Sequence, residues 1–544
     1  MLQELSNSQA KWVESTLNSM TMEELVGLLI CPESRKYTQQ DWLDIFDKVP
    51  LGNIFFGNNN AKEMKNTLTA IQNKAKHPVI VAVDMEQGMG LACDFGTNFP
   101  EQMALAAAGD TELTREMGRI LAREVRPLGV HWTFSPVADL NYNFNNPVTN
   151  IRSFGDDAAK VAEMVKAAVQ GRQENGLLAA TVKHFPGDGM DDRDQHACTS
   201  VNTMPMDQWR ETYGKVWKAA IHDAGVMSIM SGHISLPDYQ GYEIDPEEAM
   251  PATLCHKLQV DLLRNELGFK GVLVSDAAPM IGITSRVSAE DMAVENIVNG
   301  SDVFLFAEPV EDHKRLMRAV KSGRLSEERV YESARRVLEM KARLNIHENP
   351  FGIKLTEAEV SQNIQSAQKA ADKSITLLKN NGKLPVSLKK GAKVLTVTLT
   401  YKEHSRKPAD LEYVDKELIA RGFEVDHLFC PEHNALIGKA GDYDAVFLNF
   451  LVTMHMKLGT IRATAEAIMP LWRAFYKNCD NVVCTSFGNP YLSYEQPHLP
   501  NLYLTYGASE VTQKAAVKCW LGEIKAEGIC PVHQPKVEIK RINI

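Results

Sequence analysis

The chain of 544 residues has little that is typical of a membrane or nucleic-acid-binding protein. No apolar run approaches the roughly 18–20 residues that cross a bilayer. The segment 1–20 lacks the basic start and the apolar core of a signal peptide. The net charge of −10 and the isoelectric point of about 5.9 disfavour a polyanion as partner. We therefore expect no membrane and no nucleic acid among its partners.

Cysteines and metal-binding motifs are also scarce. Nine cysteines, an odd number, are scattered along the chain without a C-x-x-C pair. This usage favours reduced thiols in the cytoplasm over a disulfide framework. The metal motif H-E-x-x-H and the phosphate-binding pattern G-x-x-x-x-G-K-[ST] do not occur. The sequence therefore predicts a cytoplasmic protein that needs neither a metal ion nor a cofactor.

What the sequence does contain is a regular alternation of apolar, β-rich runs with helical patterns. Helical stretches such as Thr111–Pro127, Asp157–Asn175 and Pro205–Ala224 separate the runs, which indicates a parallel α/β sheet. The seven runs are Leu51–Phe56, Val79–Val83, Gly129–Phe134, Leu177–Val182, Val226–Met230, Gly271–Val274 and Val303–Phe306. The segment 1–50 is predicted to be helical, with Thr21 and Glu24 as a capping box.

Reactive side chains follow several of these runs. They are Asp84, Arg152, Lys183, His184, His233 and Asp276. A (β/α) barrel collects its chemistry at the carboxyl ends of different strands in this way, whereas an open doubly wound sheet is the alternative. We favour the barrel, and we expect an eighth strand that the pattern does not reveal.

A second domain follows the first. The helix Ser326–Asn345 closes the first domain, and a turn at 349–352 leads to the helix Glu357–Lys373. Six further strands then predict a smaller α/β sandwich. They are Ile375–Leu378, Lys393–Thr398, Glu424–Phe429, Ala445–Phe450, Val482–Ser486 and Leu502–Tyr506. We predict a barrel domain at 1–350, a linker helix at 351–373 and the sandwich at 374–544.

The segment Thr181–Val201 carries the densest chemistry. Lys183 and His184 stand at a strand end, and the Pro and Gly residues that follow turn the chain into an acidic loop. Asp194 lies two residues before His196, so its carboxylate can bond one ring nitrogen and leave the other for proton transfer. The alternative is an acidic surface loop with an incidental histidine.

This segment resembles the histidine loop of glycoside hydrolase family 3, in the β-N-acetylglucosaminidase branch. That branch typically reads Lys-His-Phe-Pro-Gly-His-Gly and then Asp-Ser-His. Here Asp188 stands in place of the second histidine and Gln195 in place of serine, while the Asp194 and His196 pair is kept.

Four further segments resemble motifs of the same family in the same order. VDMEQGMG contains Asp84 but has Gln87 and Met89 where glycine and arginine are usual, and FSPVADLN with IRSFG contains Asp139 and Arg152. MSGH ends in His233, which a purely structural role would explain equally well. SDAAPMIG contains Asp276, Met280 and Gly282 but departs at Ala277 and Ala278. Without the resemblance, Asp276 suits a nucleophile or a helix N-cap, and Asp84 a strand-end turn.

The resemblance implies a TIM-type barrel with a second α/β domain and a retaining exo-β-N-acetylglucosaminidase. It assigns Asp276 as the nucleophile, and His196 as the acid/base that Asp194 orients. Sugar binding is assigned to Asp84, Arg152, Lys183, His184 and Met280. Both water and inorganic phosphate remain open as acceptors of the glycosyl group.

Two other functions compete with this one. Met89 and the Ala277–Ala278 pair leave room for a β-glucosidase or other β-glycosidase of the same family, whereas the Asp194 and His196 pair disfavours it. A catalytically silent sugar-binding protein is the rival from another class. The second domain would cap the barrel, mediate contacts in a homodimer, or do neither.

Overall fold

The computed structural model describes residues 1–57, 60–242, 248–401, 411–453, 461–472 and 480–535. These residues form two compact units. The first unit comprises 1–97, 111–140 and 158–364, and the second comprises 98–110, 141–157 and the described residues from 365 onward. Two short segments of the N-terminal half thus belong to the second unit. The division at residues 350 and 373 stays a prediction of where independently folding domains end.

The strands and helices follow the alternation that the sequence predicts. The strands are β1 Ile30–Cys31, β2 Asn53–Phe55, β3 Ile80–Val83, β4 Trp132–Thr133, β5 Ala179–Phe185, β6 Ser200–Val201, β7 Ser228–Ser231, β8 Ile234–Ser235, β9 Val272–Ser275, β10 Phe304–Leu305, β11 Thr376–Lys379, β12 Lys393–Leu399, β13 Glu424–Phe429, β14 Ala445–Phe450, β15 Val482–Ser486 and β16 Leu502–Leu504. The helices are α1 Asn7–Ser19, α2 Met22–Gly27, α3 Gln39–Phe46, α4 Ala61–Lys74, α5 Gln102–Ala108, α6 Thr111–Val125, α7 Ala158–Gln173, α8 Met206–Glu211, α9 Tyr213–Lys218, α10 Pro237–Gln240, α11 Ile281–Thr284, α12 Met292–Val298, α13 Pro309–Lys321, α14 Glu327–Arg343, α15 Glu357–Ser374, α16 Glu412–Ala420, α17 Ala465–Ile468, α18 Leu492–Glu495 and α19 Glu510–Trp520. A π-helix, Lys257–Glu266, precedes β9.

Eight parallel strands curl into the barrel of the first unit. Six form a sheet in the order β2-β3-β4-β5-β7-β9, and β1 pairs with β10. Parallel bridges from Val274 to Val303 and from Glu33 to Phe55 connect this pair to the two edges of the sheet. The predicted barrel is therefore confirmed, and β1 is the eighth strand.

The strand β1 lies in a segment that the sequence predicts to be helical throughout, and this part of the prediction is wrong. The helix α2 begins as expected, with the Thr21 and Glu24 capping box. The apolar residues continue without a turn signal from α2 into Ile30 and Cys31. Pairing with β10, including a bond from Phe304 N–H to the Leu29 carbonyl (2.9 Å), makes them a strand.

The interior of the barrel is filled by strand side chains and aromatic rings. Because helices cover a parallel sheet on its outer face, its strands are buried on both faces. The ring of Phe55 stacks on Phe134 at 5.6 Å between centroids, and Trp132 meets Phe134 edge to face at 5.1 Å. With the interior closed in this way, polar side chains that follow the strands gather at one end of the barrel.

A buried carboxylate, that of Asp302, forms ion pairs at the amino ends of the barrel strands. Asp302, which precedes β10, lies 2.6 Å from Arg264, 2.9 Å from Arg336 and 3.3 Å from Arg329. It also accepts the backbone N–H of Leu273 at 2.9 Å. Burial raises the pKa of Asp302, but the three guanidiniums outweigh this effect and hold the pKa well below its usual range. The cluster therefore ties β9, β10, α14 and the π-helix together.

The second unit contains a six-stranded sheet in the order β11-β16-β15-β14-β12-β13. Its strands are parallel except for β11, which is antiparallel to β16. The six strands predicted from the sequence are confirmed. Met103 and Ala104 of α5 and Ile151 belong to the apolar core of this sheet, which explains why these two segments group with it. None of the helices in the described ranges combines the length and the apolar composition that crossing a bilayer requires.

Candidate active site

Asp276 lies directly after β9, at the carboxyl end of the barrel strands. Its backbone N–H donates to the Ser231 carbonyl at 2.8 Å, and its Oδ1 accepts the N–H of Ala277 at 2.7 Å. The next helix, α11, begins after Met280 as its N-cap, so Asp276 does not cap it. The alternative reading of this aspartate as a helix cap is thus wrong.

Imidazoles surround this carboxylate. His184 Nε2 lies 3.9 Å from Asp276 Oδ2. Burial raises the pKa of Asp276, but the imidazoles of His184 and His233 and the N–H of Ala277 outweigh it, so the pKa lies below its ordinary value. A carboxylate that stays ionised near neutral pH has the protonation state that a nucleophile requires.

Asp139 fixes the orientation of His184. Its Oδ2 lies 2.7 Å from His184 Nδ1, and its Oδ1 accepts the backbone N–H groups of His184 (3.1 Å) and Asp188 (2.7 Å). Asp139 is completely buried. The carboxylate cannot donate a proton when ionised, so His184 Nδ1 carries the hydrogen and Nε2 faces Asp276.

Lys183 joins two carboxylates of the segment that follows β3. Its Nζ lies 3.2 Å from Asp84 Oδ1 and 2.8 Å from Glu86 Oε1. The Lys183 side chain is 3% exposed and that of Asp84 is 50% exposed, so Asp84 faces the solvent side of the pair. Nearby, Arg172 donates to Ser135 Oγ at 3.1 Å. Burial lowers the pKa of Arg172 to about 10, and the negative charge of Glu86 only partly offsets this effect.

Asp194 and His196 form the pair that the sequence predicts. Asp194 Oδ1 lies 2.6 Å from His196 Nδ1 and accepts the backbone N–H of His196 at 2.8 Å. The Asp194 side chain is 2% exposed and that of His196 is 31% exposed. The geometry therefore assigns the Nδ1–H tautomer and leaves Nε2 accessible for proton transfer.

The loop that carries this pair is joined to the segment after Asp276 by backbone hydrogen bonds. The N–H of Ile281 donates to the His196 carbonyl at 3.0 Å, and that of Gly282 donates to the Gln195 carbonyl at 3.2 Å. A Cβ at Gly282 would lie 2.5 Å from the Gln195 oxygen, so only glycine fits this close approach. The same contacts thus set the positions of Asp276 and His196.

The other predicted residues lie in different surroundings. His233 is buried, with Nδ1 2.9 Å from Thr253 Oγ1 and Nε2 3.0 Å from the Ala277 carbonyl, as a structural histidine would be. Burial lowers its pKa. Met280 is buried at the start of α11. Arg152 belongs to the second unit, where its Nη1 donates to the Val148 carbonyl at 3.2 Å.

In the first unit the structure brings together Asp84, Lys183, His184, Asp194, His196 and Asp276. Glu86 was not singled out from the sequence, although it lies in the same motif as Asp84. Met89, which replaces the usual arginine of that motif, is buried in the barrel core. No group of three potential metal ligands occurs among the described residues.

Comparison with known proteins places these observations in a family. The family model "Glycosyl hydrolase family 3 N terminal domain" matches residues 21–340. The chain belongs to glycoside hydrolase family 3. A relative from Cellulomonas fimi, named beta-N-acetylglucosaminidase/beta-glucosidase, is 33% identical over 97% of this chain and 96% of its own. The family and the enzyme class, a glycoside hydrolase, predicted from the sequence are thus confirmed.

Two solved structures resemble this family 3 enzyme along nearly its whole length. Beta-glucoside phosphorylase BglX has a TM-score of 0.86 and 29% identity, covering 97% of each chain. A family 3 beta-N-acetylglucosaminidase from Paenibacillus sp. str. FPU-7 has a TM-score of 0.82 and 26% identity, covering 95% of this chain and 100% of its own. Both likenesses support the two-unit fold.

Proposed function

We propose that this family 3 enzyme is a retaining exo-β-N-acetylglucosaminidase that removes terminal GlcNAc from small β-linked saccharides. The observation that carries the proposal is the 2.6 Å pair of Asp194 and His196, on a loop bonded to the segment after Asp276. The names of the Cellulomonas fimi relative and of the Paenibacillus structure support the choice of sugar.

In the proposed mechanism Asp276 attacks the anomeric carbon while His196 Nε2 donates a proton to the leaving oxygen. A glycosyl-enzyme ester forms on Asp276 and the aglycone leaves as an alcohol. His196 then removes a proton from the acceptor, which displaces the sugar and restores the Asp276 carboxylate. Asp194 keeps the proton on Nδ1 throughout, so that Nε2 is the atom that exchanges protons.

The remaining predicted residues are assigned to the sugar. Asp84 and His184 Nε2 would accept hydrogen bonds from hydroxyl groups of the sugar, and Lys183 would hold Asp84 in place. Met280 offers an apolar surface, and Arg152 is assigned to the sugar on the family resemblance. Because Arg152 belongs to the second unit, its assignment depends on the resemblance alone.

Phosphate is the second acceptor that we consider, beside water. Histidine as base is neutral, so it does not repel an approaching anion as an ionised glutamate would. The similarity to a structure named as a beta-glucoside phosphorylase favours this option. The same name, together with Met89 in place of arginine, keeps β-glucosides as the alternative substrate. We also retain the cytoplasm and a homodimer as proposals.

The test uses nitrophenyl β-GlcNAc and nitrophenyl β-glucoside, each with and without phosphate. We compare the wild type with His196→Ala and with His256→Ala, an exposed histidine of the same unit that serves as control. GlcNAc turnover that falls by about 10²–10⁴-fold only in His196→Ala supports the proposal. A GlcNAc-1-phosphate product would identify phosphate as the acceptor.

Three results would contradict the proposal in different ways. Turnover of the glucoside alone would transfer the assignment to a β-glucosidase. GlcNAc turnover that survives His196→Ala would remove His196 from the mechanism. No turnover of either substrate by folded protein would favour another sugar or a silent sugar-binding protein.

A further inference from the structure

The turn that carries Asp194 and His196 has a buried glutamine at its centre. Gln195 lies between these two residues and is 1% exposed. The N–H groups of Ala197 and Cys198 donate to the Asp194 carbonyl at 2.8 and 3.0 Å, which closes the turn around Gln195 and His196. Because the turn is closed by its own hydrogen bonds, contacts that fix Gln195 also fix the Asp194 and His196 pair.

The side-chain amide of Gln195 bonds two other segments of the first unit. Its Oε1 accepts the backbone N–H of His233 at 2.9 Å, and its Nε2 donates to Asp188 Oδ2 at 3.3 Å. A backbone N–H can only donate, so the amide oxygen faces His233 and the NH₂ group faces Asp188. Asp188 and His233 are 1% and 0% exposed, so both bonds are shielded from water.

The Asp188 contact links the turn to the carboxylate that orients His184. Asp188 follows β5, and its backbone N–H donates to Asp139 Oδ1 at 2.7 Å. The same Asp139 oxygen accepts the N–H of His184 at 3.1 Å, and Asp139 Oδ2 lies 2.7 Å from His184 Nδ1. Gln195 therefore connects the His196 turn with the pair of Asp139 and His184 through a single aspartate.

The His233 contact links the turn to the segment that contains Asp276. His233 lies between β7 and β8, and its ring Nε2 lies 3.0 Å from the carbonyl of Ala277, the residue after Asp276. The main chain of Gln195 adds a second link to this segment, because its carbonyl accepts the Gly282 N–H at 3.2 Å. The side chain and the main chain of Gln195 thus both attach the turn to the surroundings of Asp276.

The two positions at which this loop departs from the family pattern are in contact with each other. Asp188 stands in place of a histidine and Gln195 in place of a serine. A carboxylate accepts hydrogen bonds and the NH₂ group of an amide donates them, so the two departures form a complementary pair.

We propose that Gln195 is a positioning residue for proton transfer, and the proposal rests on the glycosidase function proposed above. Through its amide it holds the turn so that His196 Nε2 lies at the leaving oxygen while the Asp276 carboxylate attacks. A catalytic group that is misplaced by about 1 Å loses about 10²-fold in rate. Loss of the amide contacts should therefore weaken acid catalysis by His196 and leave nucleophilic attack by Asp276 largely intact.

The first experiment separates these two effects by the leaving group. An alkyl glycoside needs a proton on its leaving oxygen, whereas a dinitrophenyl glycoside of the same sugar does not, because dinitrophenolate is a weak base. Gln195→Met keeps the length of the side chain and removes its donor and acceptor. We expect its kcat/KM to fall by about 10²-fold for the alkyl glycoside and by less than about threefold for the dinitrophenyl glycoside.

The matched control is Gln240→Met. Gln240 is a buried glutamine of the same unit whose Oε1 accepts the Leu236 N–H and whose Nε2 donates to the Met250 carbonyl, both at 2.9 Å. Its replacement removes the same kinds of bond away from the His196 turn. We expect it to change kcat/KM for the two glycosides by the same factor.

The second experiment reverses the contact between residues 188 and 195. Gln195→Glu alone sets a second carboxylate against that of Asp188. When it is combined with Asp188→Asn, the asparagine donates, one glutamate oxygen accepts, and the other oxygen still accepts the His233 N–H. We expect Gln195→Glu to lower kcat/KM for the alkyl glycoside at least about tenfold more in the wild-type background than in the Asp188→Asn background.

The third experiment measures amide hydrogen exchange of the peptide 189–199 by mass spectrometry, which needs no turnover. We expect faster exchange in Gln195→Met than in the wild type and unchanged exchange in Gln240→Met. Near-ultraviolet circular dichroism establishes that each variant is folded. If Gln195→Met does not fold, the Glu and Asn variants of the second experiment decide.

The outcomes distinguish this proposal from the proposed function. Equal losses of Gln195→Met for both leaving groups would overturn it, as would equal effects of Gln195→Glu in the two backgrounds. A wild type that cleaves no glycoside would contradict the proposed function instead. Hydrogen exchange then decides the role of Gln195, since unchanged exchange in Gln195→Met excludes it and faster exchange supports it.

Discussion

The substitution Asp139→Asn tests how the barrel positions His184 beside the proposed nucleophile, Asp276. Asp139 is completely buried, and the hydrogen bonds that it accepts include those from the backbone N–H groups of His184 and Asp188 and from the Nδ1–H of His184. The asparagine amide retains an oxygen for the two backbone donors, but its NH₂ group replaces the oxygen that faces Nδ1. Two donors then meet, unless the hydrogen of His184 moves to Nε2.

The expected magnitudes follow from these bonds. A hydrogen bond to a charged group contributes about 1.5–3 kcal/mol, and a neutral amide–imidazole bond recovers about 0.5–1.5 kcal/mol. We therefore expect the free energy of unfolding to fall by only about 1–2 kcal/mol. Asp139→Ala instead leaves three buried donors without an acceptor, at about 1–3 kcal/mol each, and we expect it to fold poorly.

We expect Asp139→Asn to reduce catalytic activity more strongly than it reduces the free energy of unfolding. With the hydrogen on Nε2, His184 can only donate toward Asp276, 3.9 Å away, and can no longer accept from a sugar hydroxyl. Loss of one charge-assisted contact in the transition state corresponds to a decrease of about 10–100-fold in kcat/KM.

The assays are urea unfolding and steady-state hydrolysis of nitrophenyl β-GlcNAc. Asp192→Asn, which neutralises an exposed aspartate of the neighbouring loop, serves as the matched control. If folded Asp139→Asn keeps kcat/KM within about twofold of the wild type, the reasoning on the His184 tautomer is refuted. If Asp139→Asn lowers the free energy of unfolding as much as Asp139→Ala does, the assumption that the asparagine keeps the two backbone hydrogen bonds is refuted.

Three further expectations concern charged groups of the first unit. Glu86→Gln weakens the hold on Lys183, so KM for the glycoside should rise by about tenfold with a smaller change in kcat. Asp302→Asn leaves three arginines facing an amide and should lower the free energy of unfolding by about 3–5 kcal/mol in urea titrations. Because the folded pKa of Asp302 is depressed, the wild type has this stabilisation above the unfolded pKa and loses it as pH falls, so the difference between the two proteins should shrink in acid. Lys341 is buried with a pKa of about 7 and donates to the Pro78 carbonyl at 2.8 Å. Since its unfolded pKa is about 10.4, stability rises with pH between about 7 and 10, and Lys341→Met should remove this rise in urea titrations and add up to about 4 kcal/mol at pH 7.

Most strands and helices could be predicted because a local pattern of residues in the sequence indicates each of them. The strands β14 and β15 are short, mainly apolar or β-branched runs, and β13 alternates polar and apolar residues before it ends in Leu428 and Phe429. In the structure the three strands have the same bounds as in the sequence analysis. The strand β1 has only two residues, directly downstream of α2. Its pairing with β10 is a tertiary effect, and no local pattern of residues encodes it.

The candidate active site also combines contacts that the local sequence predicts with contacts that only the tertiary structure reveals. Asp194 and His196 are two residues apart, so their contact is visible in the sequence. Asp139 and His184 are 45 residues apart. Nothing in either segment of the sequence specifies that the Asp139 carboxylate binds the ring and the backbone N–H of His184. The grouping of Arg152 with the second unit is of this kind too, because it depends on which sheet the segment 141–157 packs against.

The surroundings of Asp276 bear on the choice of acceptor. Burial raises the pKa of Asp276, but the imidazoles of His184, His233 and His196 and the backbone N–H of Ala277 outweigh this effect and lower the pKa. A glutamate in place of His196 would add a second carboxylate, whose charge would raise the pKa of Asp276 and repel an incoming anion. The pairing of Asp194 with His196 avoids this because the negative charge is on the buried partner, while the more exposed group, which we propose as the acid/base, is an imidazole. The local electrostatics are therefore compatible with both water and phosphate as the acceptor.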